Sequence, residues 1–96
     1  MLLKKVERIL KNHEKDLHQF GVRTLAVFGS TARNEAKNSS DIDILVDFDS
    51  KRGMFVFLDL KTYLEGILQC DVDLVTKSAL HPALKDKILR EARYVL

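Results

Sequence analysis

Apolar and polar residues follow two different periods in the first part of the chain. Over residues 2–20, apolar side chains recur about every 3.6 residues with charges between them, which predicts an amphipathic helix that Gly21 ends. Residues 24–28 form a short apolar run of strand-forming types and predict a buried strand. A short helix is expected over residues 31–36, and the polar run at 38–40 is typical of a turn.

The second half continues the strand–helix pattern. Apolar residues alternate with aspartates in Ile42–Phe48, which predicts a second strand. Gly53 is expected to open a helix over Met54–Leu68, and residues 72–75 to form a third strand. Pro82 suits the first turn of a last helix. The order αβαβαβα predicts an α+β fold of two layers, in which one small mixed sheet is covered by helices.

Length and composition bound the function. The 96 residues are expected to form one domain, 1–96, and the single cysteine, Cys70, excludes an internal disulfide. No apolar run approaches the ~20 residues of a membrane span, so a cytoplasmic location is expected. The net charge of +2 is too small by itself to indicate a nucleic-acid or membrane partner.

The small net charge conceals a segregation. Residues 1–40 carry +4, residues 41–76 carry −5 and residues 77–96 carry +3. An acidic middle between basic ends is the pattern of a cation site flanked by anion-binding groups. Solvated helix faces account for the terminal lysines, but they do not account for the central aspartates.

The central aspartates occupy strand positions that favour apolar residues. Asp41 and Asp43 are two apart, so their side chains point to one face of the second strand, opposite the face that the helices cover. A parallel crossover would place Asp73 of the third strand beside them, and Asp71 is a weaker candidate of the same parity. Converging carboxylates repel unless a cation bridges them, and Mg²⁺ accepts such oxygens together with phosphate. The alternative is a set of exposed acids at a sheet edge.

A Gly-Ser turn follows the first strand. Gly29 allows a ligand to approach the backbone, Ser30 offers a hydroxyl, and Arg33 offers a charged fork for phosphate oxygens. These residues share a site with Asp41 only if the first two strands are antiparallel neighbours, which makes the sheet mixed. The turn is neither a phosphate-binding loop ending in Gly-Lys-Ser/Thr nor a Gly-x-Ser-x-Gly elbow.

The spacing of these residues resembles a known signature. The segment GSTARNEAKNSSDIDILVDF contains Gly-Ser, ten residues, and then Asp-x-Asp. This is similar to the motif of the DNA polymerase beta-like nucleotidyltransferase superfamily, and the whole chain resembles its minimal nucleotidyltransferases. Members of that group are often encoded beside a HEPN-domain protein.

The resemblance implies a role for each motif position. Gly29 and Ser30 would hold the phosphates of a nucleoside triphosphate, and Asp41 and Asp43 would bind two Mg²⁺ ions. Asp73 would bind the catalytic metal and help to deprotonate or orient the attacking hydroxyl. Arg33 stands where the family commonly has a basic residue, which suggests a phosphate contact.

The resemblance also implies an activity and a partner. We expect Mg²⁺-dependent transfer of AMP from ATP to a hydroxyl, such as a tyrosine of a cognate HEPN toxin, by a chain that acts as the antitoxin. One alternative is a binding-only antitoxin that neutralises its partner by covering it. Another is transfer to a small-molecule hydroxyl. Because one short domain leaves little chain to enclose an acceptor, we expect a second polypeptide in the site, either a partner or another copy.

Three phenylalanines surround a loop after the second strand. Phe48, Phe55 and Phe57 flank a Lys-Arg-Gly sequence, at the opposite end of this strand from Asp41. Core packing is the default interpretation for them, and a partner surface is the alternative.

Overall fold

A four-stranded mixed sheet forms the centre of the computed structural model, which describes residues 2–35, 41–50 and 53–96. The strand order is β3-β2-β1-β4. The strands are β1 (Val22–Phe28), β2 (Ile42–Phe48), β3 (Val72–Thr76) and β4 (Arg93–Tyr94). β1 pairs antiparallel with β2 and with β4, whereas β2 pairs parallel with β3. The predicted mixed sheet is therefore confirmed, and so are the neighbours expected for the first three strands.

Five α-helices and one 3₁₀ turn accompany the sheet in the described part of the chain. They are α1 (Leu3–Asn12), α2 (Glu14–Gln19), α3 (Gly29–Ala32), α4 (Met54–Leu68), the turn Lys77–Ala79 and α5 (Pro82–Glu91). Within the described ranges, no helix has both the length and the apolar character needed to cross a membrane.

The core lies between one face of the sheet and the helices α1, α2 and α4. The β2 residues predicted to face the helices are all buried: Ile42, Ile44 and Val46. They join fully buried leucines of the three helices, which are Leu10, Leu17, Leu60 and Leu64. Burial of each such leucine contributes about 1.5–3 kcal/mol relative to an exposed position. The hydrophobic alternation of β2 therefore holds its aspartates on the opposite face.

The prediction of a single helix over residues 2–20 is wrong, because the helix breaks at His13. The N–H of His13 donates to the carbonyl of Leu10 at 3.1 Å, an i→i−3 bond that tightens the last turn of α1. The ring Nδ1 of His13 contacts the carbonyl oxygen of Ile9 at 2.8 Å. The end predicted at Gly21 is confirmed, since this residue has φ 85° and its N–H donates to His18.

The segment after β1 also differs from expectation. α3 begins at Gly29 rather than at residue 31, and it ends at Ala32. Asn34 stops it by adopting the left-handed conformation, with φ 57°. The expected turn at residues 38–40 lies outside the described residues. Met54–Leu68 forms a helix as predicted, and β1 and β3 are longer than predicted.

Strand β4 had no signal in the residue pattern. It has two residues, both exposed, which pair with Ala26 and Val27 of β1. Two residues are too few to display an alternation, so tertiary pairing determines this strand.

A tyrosine ties α4 to the helices at the start of the chain. The hydroxyl of Tyr63 donates to Oδ2 of Asp16 at 2.9 Å, and its ring lies 5.3 Å from that of Phe20, centre to centre. Burial and the bond to Asp16 raise the pKa of Tyr63 to about 12.

We expect this tyrosine to titrate later than an ordinary one. Because folding raises its pKa, the stabilisation it provides is present below pH ~10, the usual tyrosine pKa, and is lost as pH rises toward 12. Absorbance titration of the Tyr94→Phe variant isolates Tyr63, since the chain has two tyrosines. Asp16→Asn should lower the midpoint. A Tyr63 midpoint at pH ~10 in the folded protein would contradict the contact with Asp16.

Candidate functional site

The predicted site residues collect at one end of the sheet. β1 runs antiparallel to β2, and β2 runs parallel to β3, so the end of β1 lies beside the beginnings of the other two. Gly29 follows β1 directly, and Asp43 and Asp73 are the second residues of β2 and β3. The topology therefore brings the Gly-Ser turn to the aspartates, as predicted.

Asp43 and Asp73 face each other across the parallel ladder. They are direct partners in the register of β2 and β3. Burial raises the pKa of Asp43, and the charges of Asp73 and Asp41 raise it further, as does a hydrogen bond with Asp73. This carboxyl is half-buried among like charges, and a bound cation would reduce the repulsion between them.

Asp41 stands at the edge of this pair. It directly precedes β2, is exposed, and acts on Asp43 through its charge. The N–H of Ile42 donates to the carbonyl of Asp71 at 3.1 Å, which aligns the beginnings of the two strands. Asp71 is exposed, and this bond uses its backbone rather than its carboxylate.

The donor set suits an ion that arrives with a phosphate ligand. Within residues 2–35, 41–50 and 53–96, no three acidic, histidine or cysteine side chains converge closely enough to form a ready-made metal cage. Mg²⁺ does not need such a cage, because it is usually held by one or two carboxylates, several waters and substrate phosphates. The oxygens of Asp43 and Asp73 fit that pattern, with Asp41 as the outer carboxylate.

Gly29 lies so close to Asp43 that no side chain fits between them. A Cβ on Gly29 would overlap Oδ2 of Asp43, and the backbone has φ 70°, which L side chains rarely adopt. The glycine therefore allows the turn to approach the carboxylate directly. A phosphate held by this turn would lie beside the carboxylate of Asp43.

The residues after Gly29 form the single turn of α3. Ser30 is partly buried there, and its carbonyl accepts from the N–H of Glu35 at 2.8 Å. Thr31 is 1% exposed, and its Oγ1 bonds to no described residue. Sequence reasoning did not single out Thr31, since a threonine in a short helical segment carries no distinctive signal.

Arg33 is close to the site but already paired. Its Nε donates to Glu35 and its Nη1 donates to Glu91, each at 3.1 Å. Its positive charge partly opposes the burial and the neighbouring acids that raise the pKa of Asp43. Glu91 was not foreseen, because it lies 58 residues away along the chain.

A groove of about 760 Å³ lies toward the other end of β2. It is lined in part by Phe48, Met54 and Phe57, and contains none of the predicted site residues. Phe48 and Phe57 pack partly against the core, whereas Phe55 is 84% exposed. The core interpretation therefore holds for Phe48 and Phe57 but not for Phe55.

Gly29→Ala is expected to disturb both the backbone and Asp43. A left-handed alanine costs about 1–2 kcal/mol, and its Cβ must displace the carboxylate. Tm should fall by several degrees, since about 1 kcal/mol corresponds to about 4–8 °C in a domain of this size. The matched control is Gly66→Ala in α4, where a Cβ meets nothing within 4 Å. There, alanine should stabilise by about 0.5–1 kcal/mol. Equal melting of Gly29→Ala and the parent protein would contradict the contact.

Asp43→Asn is expected to stabilise the ligand-free protein at pH 7. Because folding raises the pKa of Asp43, its ionisation destabilises the fold as pH rises through that pKa. Asparagine removes this penalty, so the gain should be clear at neutral pH and vanish below pH ~3.9, where the aspartate is protonated in both states. Denaturant unfolding at both pH values measures it.

Asp47→Asn provides the control for this stability test. Asp47 lies on the same strand but accepts two bonds from Arg23, at 2.9 and 3.2 Å, so its replacement should bring no gain. A less stable Asp43→Asn protein at pH 7 would show that the carboxylate is not strained.

Comparison with known proteins identifies the family of this chain. The chain matches the nucleotidyltransferase domain family over residues 3–95. It is 47% identical over 96 residues to a protein adenylyltransferase, MntA, of Thermococcus cleftensis, covering 99% of this chain and 97% of that one.

Solved structures share the fold. One that is assigned by name to the minimal nucleotidyltransferases superposes with a TM-score of 0.85 at 36% identity, covering 97% of this chain and 95% of the other. Another structure is a complex of the tri-AMPylated HEPN toxin of Shewanella oneidensis with an MNT antitoxin. A chain of this complex gives a TM-score of 0.68, and the match covers 94% of our chain and 71% of that chain. It is 20% identical, so this likeness concerns the fold alone. The near-complete family match and the 47% identical relative show that this chain belongs to the nucleotidyltransferase domain family.

Proposed function

We propose that this chain is a Mg²⁺-dependent adenylyltransferase that moves AMP from ATP to a tyrosine hydroxyl of a cognate HEPN toxin and so acts as its antitoxin. The observation that carries the proposal is the Asp43–Asp73 pair lying beneath the close approach of Gly29. The family, the named activity of the Thermococcus relative and the fold shared with the HEPN-bound antitoxin support it.

The residues divide the work of the transfer. Gly29 and Ser30 hold the β- and γ-phosphates against the sheet end. Asp41 and Asp43 would hold two Mg²⁺ ions together with the triphosphate, and Asp73 would hold one ion and orient the acceptor hydroxyl. When bound, Mg²⁺ neutralises the triphosphate and the charge that develops on the leaving group.

The chemical step is an in-line displacement at the α-phosphorus. The acceptor oxygen bonds to this phosphorus while the bond to the bridging oxygen of the β-phosphate breaks. AMP is transferred, pyrophosphate leaves, and the hydroxyl proton passes toward Asp73. Positioning and charge stabilisation supply the catalysis, since no group of the protein needs to form a covalent intermediate.

An exposed site favours a macromolecular acceptor. Asp41 and Asp73 are exposed and Asp43 is half-buried, so the carboxylate end of the sheet is open to a tyrosine on another protein surface. A small-molecule acceptor has less support, because the groove of about 760 Å³ does not include this end.

The test is intact-mass analysis of the cognate HEPN toxin after incubation with this chain and Mg-ATP. We expect AMP adducts on the toxin, lost on removal of Mg²⁺ and reduced on the order of 10²–10³-fold or more by Asp43→Asn or Asp73→Asn. Tyrosine-to-phenylalanine variants of the toxin locate the acceptor.

Asp47→Asn is the matched control, because Asp47 lies on the same strand and pairs with Arg23 away from the site. It should retain the activity. If no adducts form, or if Asp43→Asn forms as many as the parent protein, the proposed transferase activity is wrong. If Asp43→Asn still neutralises the toxin in cells, the binding-only antitoxin is the better description.

A further inference from the structure

Two carboxylates, one nearby in the chain and one 58 residues away, hold the guanidinium of Arg33. Glu35 Oε2 accepts from Nε and Glu91 Oε2 accepts from Nη1, both at 3.1 Å. The side chain of Arg33 is 43% exposed and follows a one-turn helix, so little else restrains its rotamers.

The two carboxylates differ in how firmly they are held. The side chain of Glu35 is 66% exposed and lies on the same loop as Arg33. That of Glu91 is 26% exposed and ends α5. Two residues later the chain pairs with β1 as β4, and the N–H of Val95 donates to the carbonyl of Leu25 at 2.8 Å. The end of α5 that carries Glu91 is therefore held close to β1, the strand that leads into Gly29.

The pairing leaves Arg33 able to bind a further anion. A guanidinium has five N–H donors, and the two bonds use one on Nε and one on Nη1. The remaining donors lie in the same rigid plane, so fixing two of them also fixes the direction of the others.

We propose that Glu91 is a positioning residue that orients Arg33 for the triphosphate. The inference rests on the proposed function, because it assumes that ATP binds beside Gly29. In the absence of Glu91, Arg33 must lose its rotamer freedom when the nucleotide binds, which lowers affinity.

Glu91 could also have the opposite effect on ATP affinity, by competing with the phosphates for Arg33. Arg33, Glu35 and Glu91 sum to −1, so a carboxylate at this position can compete with the phosphates for the guanidinium. If Glu91 competes with the phosphates, its removal tightens the binding of Mg-ATP. If Glu91 positions Arg33, its removal weakens that binding. The sign of one affinity change separates the two.

The experiment is calorimetric titration of Mg-ATP into the purified protein and its variants. Glu91→Gln should weaken binding about fivefold, equivalent to about 1 kcal/mol. Glu35→Gln should change it less than about twofold, since this carboxylate is more exposed. In an Arg33→Gln background, Glu91→Gln should have no further effect, because the two act as a unit.

Enzyme kinetics and thermal melting separate positioning from general damage. For transfer to the HEPN protein, Glu91→Gln should raise KM for ATP about fivefold with kcat nearly unchanged. Its Tm should match that of Arg33→Gln, because both variants lose the ion pair between Arg33 and Glu91. Unchanged or tighter Mg-ATP binding, or an equal loss in the Arg33→Gln background, would overturn the inference alone. A parent protein that binds no Mg-ATP would overturn the proposed function itself.

Discussion

Two like charges held side by side are the constraint on which the site depends. The ladder between β2 and β3 makes Asp43 and Asp73 direct partners, although carboxylates at that distance repel each other and one of them is half-buried. The core on the other face of the sheet stabilises this arrangement, because its buried side chains outweigh the local repulsion. The pKa of Asp43 is raised as a result, and a cation bound beside it would reduce the repulsion.

The neighbouring residues are arranged around this repulsion. Gly29 has no side chain where the carboxylate of Asp43 lies, so the turn and the acid occupy adjacent space. Arg33 brings one positive charge toward the acids, and Glu91 connects it to the end of α5, 58 residues further along the chain. The left-handed turn at Gly29 and the neighbouring acids around Asp43 are each unfavourable when considered alone. Together they form one surface on which carboxylate oxygens lie beside a glycine turn and a guanidinium.

The sequence determines the sheet centre more fully than its surroundings. Alternation in Ile42–Phe48 and the apolar face of Met54–Leu68 specify their elements to the residue, because burial on one face is a local property of the pattern. The strand β4 depends on pairing with a distant segment, which no local period reveals. The break at His13 arises from bonds to Leu10 and Ile9 that the apolar period does not register. The Gly-Ser and Asp-x-Asp spacing predicts the site, but not Glu91, whose role arises only when α5 reaches Arg33.

The register of β2 against β3 has a consequence for how reliably the site assembles. Side chains alternate between the two faces of a strand, so a slip by one residue would turn Ile42, Ile44 and Val46 to the outside and bring the aspartates into the core. Such a chain would lose its hydrophobic stabilisation before it could form a faulty site. The packing that selects the register therefore also selects the pairing of Asp43 with Asp73.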